Sequence, residues 1–310
     1  MQPVQVRREI ESLLPEGCVF FDEPMKKHTS FRIGGEAEIL VLPQTTSQIV
    51  AVIDFARHRQ IPYIIIGNGT NLLVRDGGIR GIVIKLSRNF GRISLKGQEM
   101  EAQAGASLNG AAELACRKGL AGLEFAAGIP GTFGGAVSMN AGAYDGEMKD
   151  VIRSATVLNK DNAIEVWSAE ELGFAYRHSR IIAEGAVLLE VTLHLEKDDP
   201  ARIRERMNHF LALRKAKQPL QYPNAGSTFK RPPGHYAGAL IEKAGLKGLR
   251  IGDAQVSPLH AGFIINLGNA TAKDVIRLIE RIQETVLAQF GVLLEPEIRI
   301  VGEDNENRPD

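Results

Sequence analysis

The chain has 310 residues, more than one compact domain usually holds, and its 37 Lys+Arg balance its 37 Asp+Glu. A neutral chain has no basic surplus for a nucleic-acid backbone, so any anion must be gripped locally. Cys18 and Cys116 lie far apart and the seven histidines show no ligand spacing, which argues against a disulfide framework or a zinc site. Both thiols read as small core residues.

The first residues alternate charged and apolar side chains, without the apolar run of a signal peptide. No stretch reaches the length of a membrane span, so a cytoplasmic protein is expected. A short helix runs to Leu14 and closes at Pro15 and Gly17. An extended run, Ala37 to Leu42, precedes a helix opened by Ser47, with Ile49, Val50, Val52, Ile53 and Ala56 on its buried side. Pro62 then begins a strand, YIII, that runs into Gly67. This order makes residues 1–66 a small α/β unit.

From Leu72 to Ala104 the short apolar runs LLV, IVIKL and RISL predict antiparallel strands. Ser107 caps a helix ending at Gly119, and the strand VLLEVTLHL closes at Leu195, so residues 67–198 form a strand-rich second unit. A polar break follows, with Asp199 as N-cap and Pro200 at the first helical position. The third unit, 199–303, opens on a helix bearing Ile203, Met207, Phe210 and Leu211. Its second long helix starts at Thr271, which forms a capping-box pattern with Asp274, and buries Val275, Leu278, Ile279, Ile282 and Val286. Residues 304–310 are too polar to pack and are expected to be a disordered tail.

Two glycine-rich stretches carry the chemical signal. In IIIGNGTNLLV, Ile64 to Val74, an apolar strand delivers glycines whose backbone N–H groups can converge on an anion. It is neither a βαβ dinucleotide fingerprint nor a P-loop, and taken alone it reads as a structural turn. The second, GLEFAAGIPGTFGGAVSMNAGAYDGE, has no charged residue between Glu124 and Asp145 and mixes glycine with bulky apolar side chains, so it is buried or covered by a ligand. Gly131 to Gly135 have the pattern of a short helix start that presents free N–H groups to phosphate.

With HTSFRIGG (His28 to Gly35), FAYRHSR, NAGSTFK and LEPEIR in the same order, these loops make the chain resemble the UDP-N-acetylenolpyruvoylglucosamine reductases over nearly its whole length. The resemblance implies an α+β fold: a two-part FAD-binding region of the vanillyl-alcohol-oxidase (PCMH) type plus a C-terminal α/β domain that binds a UDP-sugar. It further implies the shorter family type, without an inserted tyrosine loop. Non-covalent FAD would be contacted by Ile66, Gly67, Asn68, Gly69, Thr70 and Asn71 of the first loop, and by Gly128, Gly131, Thr132, Gly134, Gly135, Ser138, Asn140, Gly142 and Ala143 of the second.

The implied reaction, in peptidoglycan precursor synthesis, reduces an enolpyruvyl ether to a lactyl ether with NADPH as electron source. The resemblance gives Arg177 the substrate carboxylate, Ser227 the proton and Glu297 a hydrogen bond to the developing enolate, in an apolar strand context from Val292 to Ile300. It places Lys217 and Gln255 on the UDP-sugar, while Lys230, three residues after Ser227, is expected in the substrate site as a group that stabilises the serine alkoxide, in a protein expected to be monomeric and without nucleic-acid or membrane partner. Two other readings stay open: an FAD oxidase of the same fold acting on an alcohol or lactone, and a non-catalytic flavin or UDP-sugar sensor. Such oxidases often tether the flavin through histidine, which neither glycine loop contains, and a sensor has no need of a proton donor.

Overall fold

The computed structural model describes residues 4–304. Helices α1 (Val4–Ser12), α2 (Thr46–His58), α3 (Leu108–Arg117), α4 (Phe133–Ser138), α5 (Arg180–Glu184), α6 (Pro200–Lys217), α7 (Ala237–Lys243) and α8 (Ala272–Phe290) alternate with short strands. Local caps set the helix starts. Ser107 Oγ accepts from Gly110 N at 3.2 Å, Asp199 Oδ1 accepts from Ala201 N at 2.7 Å, and Thr271 with Asp274 closes a reciprocal capping box. α2 is capped by Thr45 rather than Ser47: Thr45 Oγ1 accepts from Gln48 N, and Ser47 falls in the first turn.

Two compact units emerge. The first holds the described residues up to Phe20, Leu40–Asn68 and Ile82–Arg214. Its five-stranded antiparallel sheet runs in the spatial order Ile164–Ser168, Ile152–Leu158, Val187–His194, Glu99–Gln103, Ile93–Lys96. One row across it, Trp167, Ala155, Val191 and Ala102, is buried on a single face, as the two-residue period of a strand requires. RISL pairs antiparallel as expected, whereas the strand that holds IVIKL pairs in parallel with Tyr63–Ile66. Ile82, Val83 and Ile84 are all fully buried, the continuous apolar run that a strand covered on both faces shows.

The second unit takes in Phe21–Ile39, Gly69–Gly81 and the described residues from Lys215. Its core joins Ile241, Val256, Ile264 and the α8 stripe Val275, Leu278, Ile282 and Val286 to Phe31 and Leu73. Leu72–Val74, also expected to be antiparallel, pairs in parallel with Arg299–Val301. The start of α8 gains a second acceptor, since Asp76 receives the N–H groups of Ala272 and Lys273 at 2.8 and 3.0 Å.

These units group the chain differently from segments cut after residues 66 and 198. α6 as far as Arg214 belongs to the first unit, where Arg204 grips Glu113 of α3 with two hydrogen bonds of 2.8 and 2.7 Å. Of the expected α6 core residues, Ile203 and Met207 are buried, whereas Phe210 is half-buried and stacks on Tyr144 with ring centroids 4.7 Å apart. Order also extends further than expected at the carboxyl end. Glu303 N donates to Gly78 O at 2.9 Å and Asp304 pairs with Arg75 at 2.6 Å, while residues 305–310 of the expected tail lie outside the described residues. Cys18 and Cys116 are free and buried.

Candidate functional site: two glycine loops and a serine turn

The strand Tyr63–Ile66 carries the first loop, with Ile66 O held by Leu86 N at 2.9 Å. At Gly67 any β-carbon would sit 2.3 Å from Thr132 Oγ1, and Asn68 Nδ2 reaches Pro130 O at 3.5 Å. The two glycine loops thus meet edge to edge at Gly67–Asn68 and Pro130–Thr132. Gly69 has φ +65°, and a β-carbon there would lie 2.3 Å from the His28 carbonyl oxygen, so only glycine fits.

Within the second loop the glycines do different work. Gly128 N donates to Asn109 Oδ1 at 2.9 Å, and a β-carbon on Gly128 would press on Leu211 and Arg214 of α6, so this glycine permits helix packing. Phe133 N and Gly134 N donate to Ala106 O and Ala104 O at 3.0 and 2.7 Å. The expected free run of amides from Gly131 to Gly135 is therefore interrupted in its middle. Gly135 is exposed and its β-carbon direction meets nothing within 4 Å. Ser138 Oγ donates to Gly134 O at 2.7 Å, and Asn140 spends its side chain on Glu147, Ala175 and Lys149. Gly142 and Ala143 pair with Glu147 and Gly146 in a hairpin whose tip residues, Tyr144 and Asp145, both have positive φ. An uncharged loop with an open glycine face suits a flavin diphosphate gripped by backbone amides.

Arg177 stands in a tight turn, with Ala175 and His178 exchanging both backbone hydrogen bonds at 3.1 Å. Its own φ is +54° and its guanidinium lies 5.0 Å from the Tyr176 ring centroid.

In the second unit the turn before Ser227 is built by Asn224, whose Oδ1 accepts from Gly226 N at 2.9 Å while Nδ2 donates to Tyr222 O at 2.8 Å. Ser30 Oγ of the HTSF motif donates to Asn224 O at 2.6 Å. Thr228 O then accepts from Glu297 N at 2.8 Å, and Lys230 N donates to Glu295 O at 2.8 Å. Ser227 and Glu297 consequently lie on adjoining backbone runs, Ser227 exposed and Glu297 half-buried. Glu297 lies outside the strand Arg299–Val301, directly after Pro296, which makes only an isolated bridge to Phe229.

Asn71, expected to contact the cofactor, donates from Nδ2 to Glu297 O at 3.1 Å, and its carbonyl accepts from Arg299 N. The Lys230 ammonium pairs with Glu295 at 3.1 Å, and Gln255 Nε2 donates to Gly248 O at 3.0 Å. Lys217 is exposed at the end of α6. Sequence reasoning missed the supporting roles of Ser30, Asn71 and Asn224; the HTSF and NAGST motifs were visible, but not their mutual contact.

Residues 218–301 match the model of the UDP-N-acetylenolpyruvoylglucosamine reductase C-terminal domain, and residues 37–166 match an FAD binding domain. A reductase of that name from Alkaliphilus oremlandii is 49% identical over 304 residues, spanning 98% of this chain and 100% of the relative. The chain belongs to the UDP-N-acetylenolpyruvoylglucosamine reductase family. A second relative, from Caldanaerobacter subterraneus subsp. tengcongensis, is 50% identical over 95% of this chain and 97% of its own length. The crystal structure of the Thermus caldophilus reductase superposes with a TM-score of 0.79 at 40% identity, covering 91% of this chain and 97% of that one. Alkyldihydroxyacetonephosphate synthase, at 15% identity and a TM-score of 0.50, shares the fold over 64% of this chain. The family fold is thus the expected one, a two-part FAD-binding region of the vanillyl-alcohol-oxidase type followed by a C-terminal substrate-binding domain, and its cofactor is FAD.

Proposed function

We propose that the chain reduces UDP-N-acetylglucosamine enolpyruvate to UDP-N-acetylmuramate at the expense of NADPH, as a monomer in the cytoplasm, with Ser227 as the proton donor. Family membership across nearly the whole chain supports the overall reaction. The observation that supports the chemical assignment is the backbone bond from Glu297 N to Thr228 O, which brings the Glu297 backbone beside the residue that follows Ser227.

The two glycine loops would hold FAD, which, once reduced by NADPH, would supply the hydride equivalent for the vinyl CH2 carbon of the substrate. Negative charge then develops on the neighbouring carbon and its carboxylate, and preorganised donors lower the cost of that state. Arg177 binds the carboxylate through two parallel N–H donors and stays charged throughout. Glu297, in its protonated form, donates to the developing enolate. Ser227 Oγ gives its proton to the α-carbon from one face, which sets the configuration of the lactyl product. Serine is a weak acid, so neighbours must stabilise the alkoxide as it forms. Lys217, Lys230 and Gln255 bind the UDP-sugar; Lys230 must exchange its partner Glu295 to do so.

The purified protein should be yellow, bleach with NADPH under anaerobic conditions, and regain its colour on addition of the enolpyruvyl UDP-sugar. A colourless protein, or one whose reduced flavin ignores that sugar, would overturn the proposal.

A further inference from the structure

We infer that Asn140 and Ser179 are positioning residues for Arg177, two buried clamps that hold its turn in a conformation the turn would not keep alone. The inference rests on the carboxylate-binding reading of Arg177.

The clamps fall on either side of the turn. Asn140, 1% exposed, donates from Nδ2 to Ala175 O at 3.3 Å and to Glu147 Oε2 at 2.7 Å, while its Oδ1 accepts from Lys149 N at 3.0 Å. Ser179, fully buried, donates from Oγ to Ser138 O at 2.7 Å. One link therefore precedes Arg177 by two residues and the other follows it by two, and both anchor in the end of α4 or the residue pair just beyond it. Tyr176 and His178, the neighbours of Arg177, are exposed and give the turn no core of its own.

Asn140 itself is informative. It follows the C-cap Met139 at φ +42°, with its N–H on Val137 O at 3.1 Å and the next N–H, of Ala141, on Ala136 O at 2.8 Å. Helix ends of this kind favour glycine. An asparagine here gives up that preference for a side chain whose donor and acceptor groups are all engaged. Arg177 repeats the pattern at φ +54°, a left-handed backbone in a bulky charged residue. Such strain persists where the surroundings over-determine it, and it gathers at functional sites.

Asn140→Gly and Ser179→Ala test the clamps separately. Glycine suits the left-handed position and keeps the helix end, and alanine removes a single oxygen. In either variant the dissociation constant for the enolpyruvyl UDP-sugar, read from the spectrum of the oxidised flavin, should rise about tenfold, and reoxidation of the reduced enzyme by that sugar should slow roughly 10- to 100-fold, the cost of a misplacement near 1 Å. Bleaching of Ser179→Ala by NADPH should be unchanged. In an Arg177→Ala background neither substitution should add to the loss, because the clamps act through that arginine. Full additivity, or a parallel fall in flavin content, bleaching and reoxidation, would show a general structural role and overturn the inference alone. If Arg177→Ala leaves substrate binding and reoxidation intact, the reading of Arg177 falls and takes the clamps with it.

Discussion

Gly135→Ala separates the needs of the fold from the needs of the cofactor. Gly135 lies in α4 with ordinary helical φ, and a β-carbon there meets no atom within 4 Å. The methyl group therefore costs the free protein nothing sterically. Alanine should stabilise the helix by about 0.5–1 kcal/mol over glycine, somewhat less so near its first turn. If the flavin diphosphate lies on this glycine face, the methyl occupies space that a phosphate oxygen needs. Overpacking of that kind costs roughly 1–3 kcal/mol, about a 5- to 150-fold rise in the dissociation constant for FAD. Protein stripped of flavin should thus melt at the same temperature or slightly higher, while FAD titration by fluorescence quenching shows the weakened affinity. Unchanged FAD affinity in a fully folded variant would mean that this face looks away from the cofactor, and the assignment of the second loop would fail.

Three further outcomes follow from particular contacts. Gly69→Ala combines a positive φ with a β-carbon 2.3 Å from a backbone oxygen, and should cost about 2–5 kcal/mol of stability, read as a lower melting temperature; an unaltered melt would refute the clash. Asn71→Ala removes the donor to Glu297 O, so reoxidation by the enolpyruvyl sugar should slow while bleaching by NADPH persists, and equal loss in both steps would assign Asn71 to the cofactor instead. The hydrogen bonds from Arg204 hold the Glu113 carboxyl below its ordinary range. A depressed folded-state pKa stabilises the protein above the unfolded value, about 4.3, and that contribution is lost as pH falls below it. Arg204→Gln should therefore flatten the acid limb of a melting-temperature profile, and an identical limb would show the pair to be neutral.

What the sequence made legible was local. Asp199, Thr271 and Asp274 announce helix starts because a cap needs only residues within one turn. The parallel pairing of Leu72–Val74 with Arg299–Val301 joins strands from opposite ends of the chain, and no short-range pattern encodes it. The glycines show the same divide. Gly128 and Gly135 look alike in the sequence, yet one accommodates α6 and the other faces open space. Phe133 and Gly134 amides read as available until their acceptors, Ala106 and Ala104, come into place through tertiary structure. Ser227 and Glu297 were identifiable through motif resemblance, but the Thr228–Glu297 bond that makes them neighbours, and the hydrogen bond from Asn71 to Glu297, depend on contacts between distant segments.

Rapid-mixing absorbance of Ser227→Ala tests the central claim most directly. With FAD bound, NADPH should bleach the flavin of this variant at the rate of the unaltered protein, and the enolpyruvyl UDP-sugar should then fail to restore the colour. Recolouring at full rate would show that the proton reaches the α-carbon from another group, and the serine turn would lose its place in the reaction.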